Sequence, residues 1–235
     1  MGRRSYVDVF LQRKMESQEG DYLRSALAMA LNEEEKALEL FKIQIKHCRE
    51  NIKTIDDRVA ANNSTHDLMA KRRAFEEQEL ILNVAAQVQQ CSYEIKGIQK
   101  ILYFENSGAG RERMAVEVSL MIYEWCNDLQ EMTGKKFQDL SKRLLSQPDL
   151  VKLRIARKKL KEFFDKENQE LSNIRHNVGA HRNHDFLNQR EILEDTDWSK
   201  AIELLHNFEV LIIDFGHALQ VLIDAGLKQI SVVFK

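Results

Sequence analysis

The stretch ILNVAAQVQQCSYEIKGIQKIL, residues 81–102, decides the fold class. Its apolar positions fall at Ile81, Val84, Val88, Cys91, Ile95, Ile98 and Leu102, in alternating steps of three and four. That spacing lines side chains along one stripe of an α-helix with about 3.6 residues per turn, whereas a half-buried strand would place them at every second position. A second seam precedes it, at Leu38, Phe41, Ile45, Cys48, Ile52, Ile55 and Val59. The segment Ala60-Ala61-Asn62-Asn63-Ser64-Thr65 interrupts the pattern, with Ser64 or Thr65 suited to cap the next helix. The spacing predicts helices over 21–59 and 65–104, folded as a long antiparallel hairpin of coiled-coil type. Each would be about 50–60 Å long at about 1.5 Å per residue. Residues 1–20 are weakly patterned, with Tyr6, Val9 and Phe10 suggesting a short docking helix.

Composition extends the same reading to the rest of the chain. Among 235 residues there are one proline and nine glycines, too few breakers for a chain of short strands. With 43% hydrophobic and 31% charged residues, the chain can bury a core and still dissolve. The Gly-rich segment 105–110 is read as a domain boundary, dividing the hairpin at 21–104 from a helical unit at 110–235. In that second unit the pattern predicts helices over 111–132, 136–146, 149–177 and 197–226. Gly134 and Pro148 mark helix ends, and the tail Ile230-Ser231-Val232-Val233-Phe234 is expected to be extended. The fold class expected is therefore all-α.

The net charge of −2 makes any nucleic-acid role depend on a local patch. Three widely spaced cysteines, Cys48, Cys91 and Cys126, read as reduced thiols. No apolar run approaches the roughly 20 residues of a membrane span, and no apolar segment follows Met1-Gly2-Arg3-Arg4 as a signal peptide requires. A cytoplasmic chain with no membrane partner is expected. There is no P-loop, dinucleotide fingerprint or nucleophile elbow, and no cofactor is expected.

One segment carries pointed chemistry: Arg175-His176-Asn177-Val178-Gly179-Ala180-His181. On an unbroken helix Arg175 and His181 would be separated by about 9 Å of rise and about 120° of rotation, so they would not share a face. A break at Gly179 brings both toward one cleft. Histidine exchanges protons near neutral pH, and a guanidinium presents a planar donor fork to phosphate oxygens. Metal-free RNA cleavage needs a base for the ribose 2′-hydroxyl, a cation for the phosphoryl oxygens and an acid for the leaving 5′-oxygen. The motif supplies one well-placed histidine where the reaction wants two. Two copies meeting across a dimer, or His176 of the same chain, would complete the set. The bland alternative is a helix-end pair that caps carbonyls or bonds a carboxylate.

These residues resemble the motif of the HEPN superfamily: an arginine, a polar residue, a few further positions, then histidine. The setting is similar too, with a long helix, a short polar loop and a final long helix. The resemblance covers roughly residues 110–228 and does not extend to the hairpin. In many relatives Asn or Asp follows the arginine, where this chain has His176. The resemblance implies a metal-independent endoribonuclease of toxin–antitoxin or antiviral defence systems, dimerising through this domain. Arg175 and His181 would be catalytic, supported by His176 or Asn177. It also admits an inactive HEPN-like binding or regulatory module, paired with an antitoxin or other protein. A coiled-coil scaffold acting through residues 21–104 is the third reading.

Other features weigh less. Residues 141–166 hold nine Lys/Arg against three acids, which reads as a solvated helix face or an RNA-backbone track. Arg154, Lys158 and Lys161 fall on one side at helical spacing, and Arg182 adds charge beside the motif. His176, His181 and His184 lack an evident set of metal-binding partners, so no metal site is expected. His206 and His217 sit among apolar residues and read as satisfied or partly buried side chains.

Overall fold

The computed structural model describes residues 17–61, 66–104, 108–178, 192 and 198–233. Six long helices account for nearly all of them, and no strand occurs among the described residues. They are α1 (Gln18–Ala60), α2 (His66–Leu102), α3 (Gly108–Met132), α4 (Lys135–Leu144), α5 (Gln147–Asn177) and α6 (Trp198–Val233). The chain is all-α. The suggested helix near Tyr6, the caps at Ser64 and Thr65, and Gly179 lie outside the described residues.

Local chemistry sets the helix ends. Ser146 caps α5: its hydroxyl accepts from the Asp149 backbone N–H and donates to the Asp149 carboxylate at 2.6 Å. That hydroxyl, with the nearby Lys152, holds the Asp149 carboxyl below its ordinary range. Pro148 stands in the first turn, where its missing N–H costs no helical hydrogen bond. Between α3 and α4, Thr133 turns its hydroxyl onto the Leu129 carbonyl at 2.6 Å and Gly134 caps the next helix.

Helices α1 and α2 run antiparallel. Arg49 donates to Glu79 and Arg72 to Asp56, each at 2.6 Å, while Glu34 pairs with Lys96 farther along. The α2 seam packs deeply: Ile81, Val84, Val88, Cys91, Ile95 and Leu102 are buried. On α1 only Cys48 and Ile55 of the seam are buried, and its N-terminal half leaves Tyr22 and Met29 exposed. The difference follows from position. Helix α2 has α1 on one side and α6 on another, and α3 against it as well, whereas α1 packs chiefly on α2. The buried side chains of α2 belong to the same core cluster as those of α3, α4, α5 and α6.

Helix α6 inserts a continuous stripe into that core: Trp198, Ala201, Leu205, Phe208, Ile212, Phe215, Leu219, Leu222 and Gly226 are all buried. Two sequence expectations change here. By length and composition α6 is apolar enough to cross a membrane, with a mean hydropathy of 1.6 over its most apolar window. A run interrupted by a few polar residues was thus hidden from a search for unbroken apolar sequence, and in this fold one face of α6 is protein core. The tail is also helical to Val233 rather than extended. Ile230 packs on the core, and Gln229 donates to Glu77 of α2 at 2.9 Å, so tertiary contacts override the strand preference of Ile and Val.

Glu77 ties three helices together. Burial pushes its carboxyl up, but hydrogen bonds from Arg143 of α4, Arg73 and Gln229 outweigh this and hold it below its ordinary value. One turn away the packing is less complete. The Gln78 amide is buried with neither its oxygen nor its nitrogen hydrogen-bonded. It fits only because Gly226 lacks a side chain; a methyl there would collide with it. An orphaned buried amide costs about 1–3 kcal/mol. Gln78→Met, which keeps the shape without the polar atoms, should therefore raise the urea midpoint at an unchanged slope. A lower midpoint would refute this account of the site.

Candidate functional site

Arg175 occupies the last turn of α5, which ends at Asn177, with the Val178 N–H closing onto the Ile174 carbonyl at 2.9 Å. The helix thus stops two residues before Gly179. His181 and Arg182, like His184, lie outside the described residues, so the separation of Arg175 from His181 is not part of the described geometry. The next long helix, α6, starts at Trp198.

The end of α5 sorts the motif onto two sides. Arg175 turns toward α3, donating from Nε to Glu124 at 2.7 Å, with its guanidinium 5.4 Å from the Tyr123 ring centre. Tyr123 in turn packs edge-on against Phe164 of α5. The Glu124 carboxylate holds the guanidinium above its ordinary value, so the group is a fixed cation. The side chain keeps a quarter of its surface exposed. His176, one residue and about 100° on, points elsewhere. It is exposed and lines an open groove of about 670 Å³ along α5 with Lys166, Glu170 and Asn177. Asn177 donates back to the carbonyl and side-chain oxygens of Asn173, at 2.9 and 2.7 Å. Arg175 does not line this groove, so the fold does not bring Arg175 and His176 into one cleft.

The carboxylate-bonded arrangement weighed for Arg175 is therefore the one it adopts, and sequence spacing had no access to its partner. Glu124 is 51 residues away on another helix.

The basic side chains converge on a different place. Arg154, Lys158 and Lys161 line a pocket of about 470 Å³ together with Lys142 and Arg157. Lys158 and Lys161 also make ion pairs along α5, with Glu162 at 3.2 Å and Asp165 at 2.9 Å. Arg157 was only one member of the charge run in the sequence, yet it is the most enclosed. Its Nε donates to the Thr133 hydroxyl at 3.0 Å, and burial lowers its pKa.

The remaining candidates are quieter. Cys48 and Cys126 are buried and their thiols are pushed up by that burial, to about 11 and about 12; Cys91 is buried and raised as well. Such thiols are poor nucleophiles at neutral pH. His206 and His217 are exposed on α6 rather than partly buried, because both lie on the side of the helix away from the core stripe, about 20° apart. Among the described residues no three His, Cys, Asp or Glu side chains come together as a metal-holding group.

No protein family matches this chain, and comparison with curated proteins and with solved structures finds no match either. The functional reading therefore rests on the motif and its surroundings.

Proposed function

We propose that this chain is a metal-independent endoribonuclease of HEPN type, acting as a homodimer in a toxin–antitoxin or antiviral defence setting in the cytoplasm. One observation carries the reading: Arg175 stands at the C-terminal end of a long helix, six residues before His181 in the sequence, with a quarter of its side chain exposed. A phosphodiester can approach a cation so placed, and its planar fork suits two phosphoryl oxygens. Arg175 would stabilise the charge growing on the phosphoryl group, and His181 would move the proton, with its second copy across the dimer acting as the complementary acid or base. His176 and Asn177, which line the adjoining groove, would contact RNA there rather than act beside Arg175.

An exposed apolar stripe supports the dimer. Val210, Ile213, Val221 and Leu227 of α6 lie open to solvent, and Val221 shares a recess with Ile155 of α5, together with Lys152, Asp214 and His217. Exposed apolar side chains gathered on one helix face suit an interaction surface, and here they belong to the helix that follows the motif in the sequence. The same stripe would meet lipid if α6 bound a membrane.

A second reading has a specific observation behind it. The guanidinium of Arg175 is engaged by Glu124, as in a catalytically silent binding or regulatory module that holds RNA or an antitoxin-like protein. Incubating the purified chain with RNA in EDTA separates the two. The nuclease reading expects cleavage that disappears in His181→Ala, and sedimentation as a dimer that Ile213→Asp together with Val221→Asp converts to a less active monomer. Saturable RNA binding without cleavage would favour the silent module. Cleavage that survives His181→Ala, or partition of the chain into lipid vesicles in place of dimerisation, would overturn the nuclease-dimer proposal.

A further inference from the structure

The pocket between the C-terminal part of α3, α4 and α5 is lined by five cations, Lys142, Arg154, Arg157, Lys158 and Lys161, and by no carboxylate. Its floor is apolar, with narrow edges of Leu129 and Leu160 reaching the surface and the fully buried Phe215 of α6 beneath them. The volume of about 470 Å³ falls within the usual size of small-molecule sites, about 300–1,000 Å³. A solvated helix face has no reason to turn its charges around a recess, and a track for an RNA backbone would spread them along an open line.

Arg157 makes the case sharper. It is partly buried, its Nε bonds only a neutral hydroxyl, and no carboxylate pairs with it among the described residues. Arg154, at the rim, likewise has no carboxylate partner there. A partly desolvated guanidinium facing further cations is unfavourable until an anion joins them. The carboxylates that pair with Lys142, Lys158 and Lys161 are Asp139, Glu162 and Asp165, and none of these lines the pocket. Exposed pairs of this kind exchange readily, so the lysines can turn to a ligand.

We propose that this pocket binds a small phosphomonoester carrying an apolar body, the phosphate held by Arg154, Arg157, Lys158 and Lys161 and the body lying against the edges of Leu129 and Leu160 and the aliphatic stems of the surrounding cations. A phosphate suits the site better than a carboxylate, since it brings close to two negative charges and three strong acceptor oxygens. The pocket lies about 20–30 Å along α5 from Arg175, at about 1.5 Å per residue, so the inference stands independently of the nuclease reading.

Isothermal titration of the full chain with benzyl phosphate, inorganic phosphate and benzyl alcohol tests it. Benzyl phosphate should bind at least tenfold more tightly than inorganic phosphate, and benzyl alcohol should show no saturable binding. Arg154→Ala and Lys158→Ala, both on the exposed side of α5, should each weaken benzyl phosphate several-fold at an unchanged melting temperature. Lys152→Ala, a cation of the same helix outside the pocket, should leave binding as it was. Equal affinity for benzyl phosphate and inorganic phosphate, or equal effects of Lys152→Ala and Arg154→Ala, would overturn the proposal. So would an RNA oligonucleotide that binds through Arg154 and Lys158 while benzyl phosphate does not bind, which would return these residues to a backbone track.

Discussion

Arg175→Ala should lower RNA cleavage by about 100- to 1,000-fold, the loss that follows removal of one preorganised donor to a charged transition state, while Glu124→Gln should preserve or raise it. The contrast follows from the geometry. In the resting chain Glu124 accepts from Arg175 at 2.7 Å, and both side chains are solvent-accessible. A phosphodiester arriving at the end of α5 must take the guanidinium from that carboxylate. The negative charge of Glu124 also opposes the approach of RNA. Glutamine keeps the size and a hydrogen-bonding oxygen while removing both obstacles. Arg175→Lys keeps the charge but loses the planar fork, and should recover only a small part of the activity. Initial rates on end-labelled RNA in EDTA, with melting temperatures alongside, provide the measurement. If the pair merely joins α5 to α3, Arg175→Ala and Glu124→Gln will lower the melting temperature together and Arg175→Ala will leave the rate untouched. That result would remove Arg175 from the catalytic assignment.

The same residues show how far the sequence could be read. The seams from Leu38 to Val59 and from Ile81 to Leu102 were legible because helical periodicity is a local property, and so was the start of α5 from Pro148 and Asp149, though not its cap at Ser146. The end of α5 near Asn177 was legible too. What escaped depended on partners distant in the chain. The seam of α2 marks one stripe, yet Ala74, Phe75, Leu82 and Ala85 are buried as well. A helix enclosed on several sides needs a wider apolar face than a two-helix seam supplies. Helical continuation past Gly226 accompanies Ile230 packing on the core and Gln229 bonding Glu77, a contact 152 residues apart in sequence. For the candidate site, the run of cations in 141–166 was visible, but its convergence on a pocket requires α3 and α4 to lie over α5. Nothing near Arg157 in sequence distinguishes it from its neighbours; Thr133, which it meets, is on the other side of a turn and a helix.

Trp198→Ala should be the most destabilising single change at the start of α6, by about 3–5 kcal/mol, the usual cost of truncating a buried tryptophan or phenylalanine. Trp198 is 6% exposed. Its indole Nε1 donates to the Leu102 carbonyl at 3.0 Å, and the Arg111 guanidinium lies 4.4 Å from its ring centre. One side chain thus joins the start of α6 to the last turn of α2 and the first turns of α3. Trp198→Phe separates the contributions. It retains most of the apolar contact but leaves the Leu102 carbonyl without its donor, and Leu102 is fully buried. That change should cost about 1–3 kcal/mol, the penalty of an unsatisfied buried acceptor. Urea unfolding followed by helical circular dichroism reads both variants without depending on the tryptophan that was removed. A loss in Trp198→Ala no larger than in Trp198→Phe would mean that the hydrogen bond, and not ring burial, secures the junction. The consequence for function follows from where α6 begins. In sequence His181 lies between Asn177, where α5 ends, and Trp198, where α6 begins, so this ring anchors the helix on one side of it while the last turn of α5 stands on the other. A chain that keeps its helices but loses the anchor should therefore lose cleavage before it loses fold. At urea concentrations where Trp198→Phe remains folded, its cleavage rate should fall below that of the parent chain.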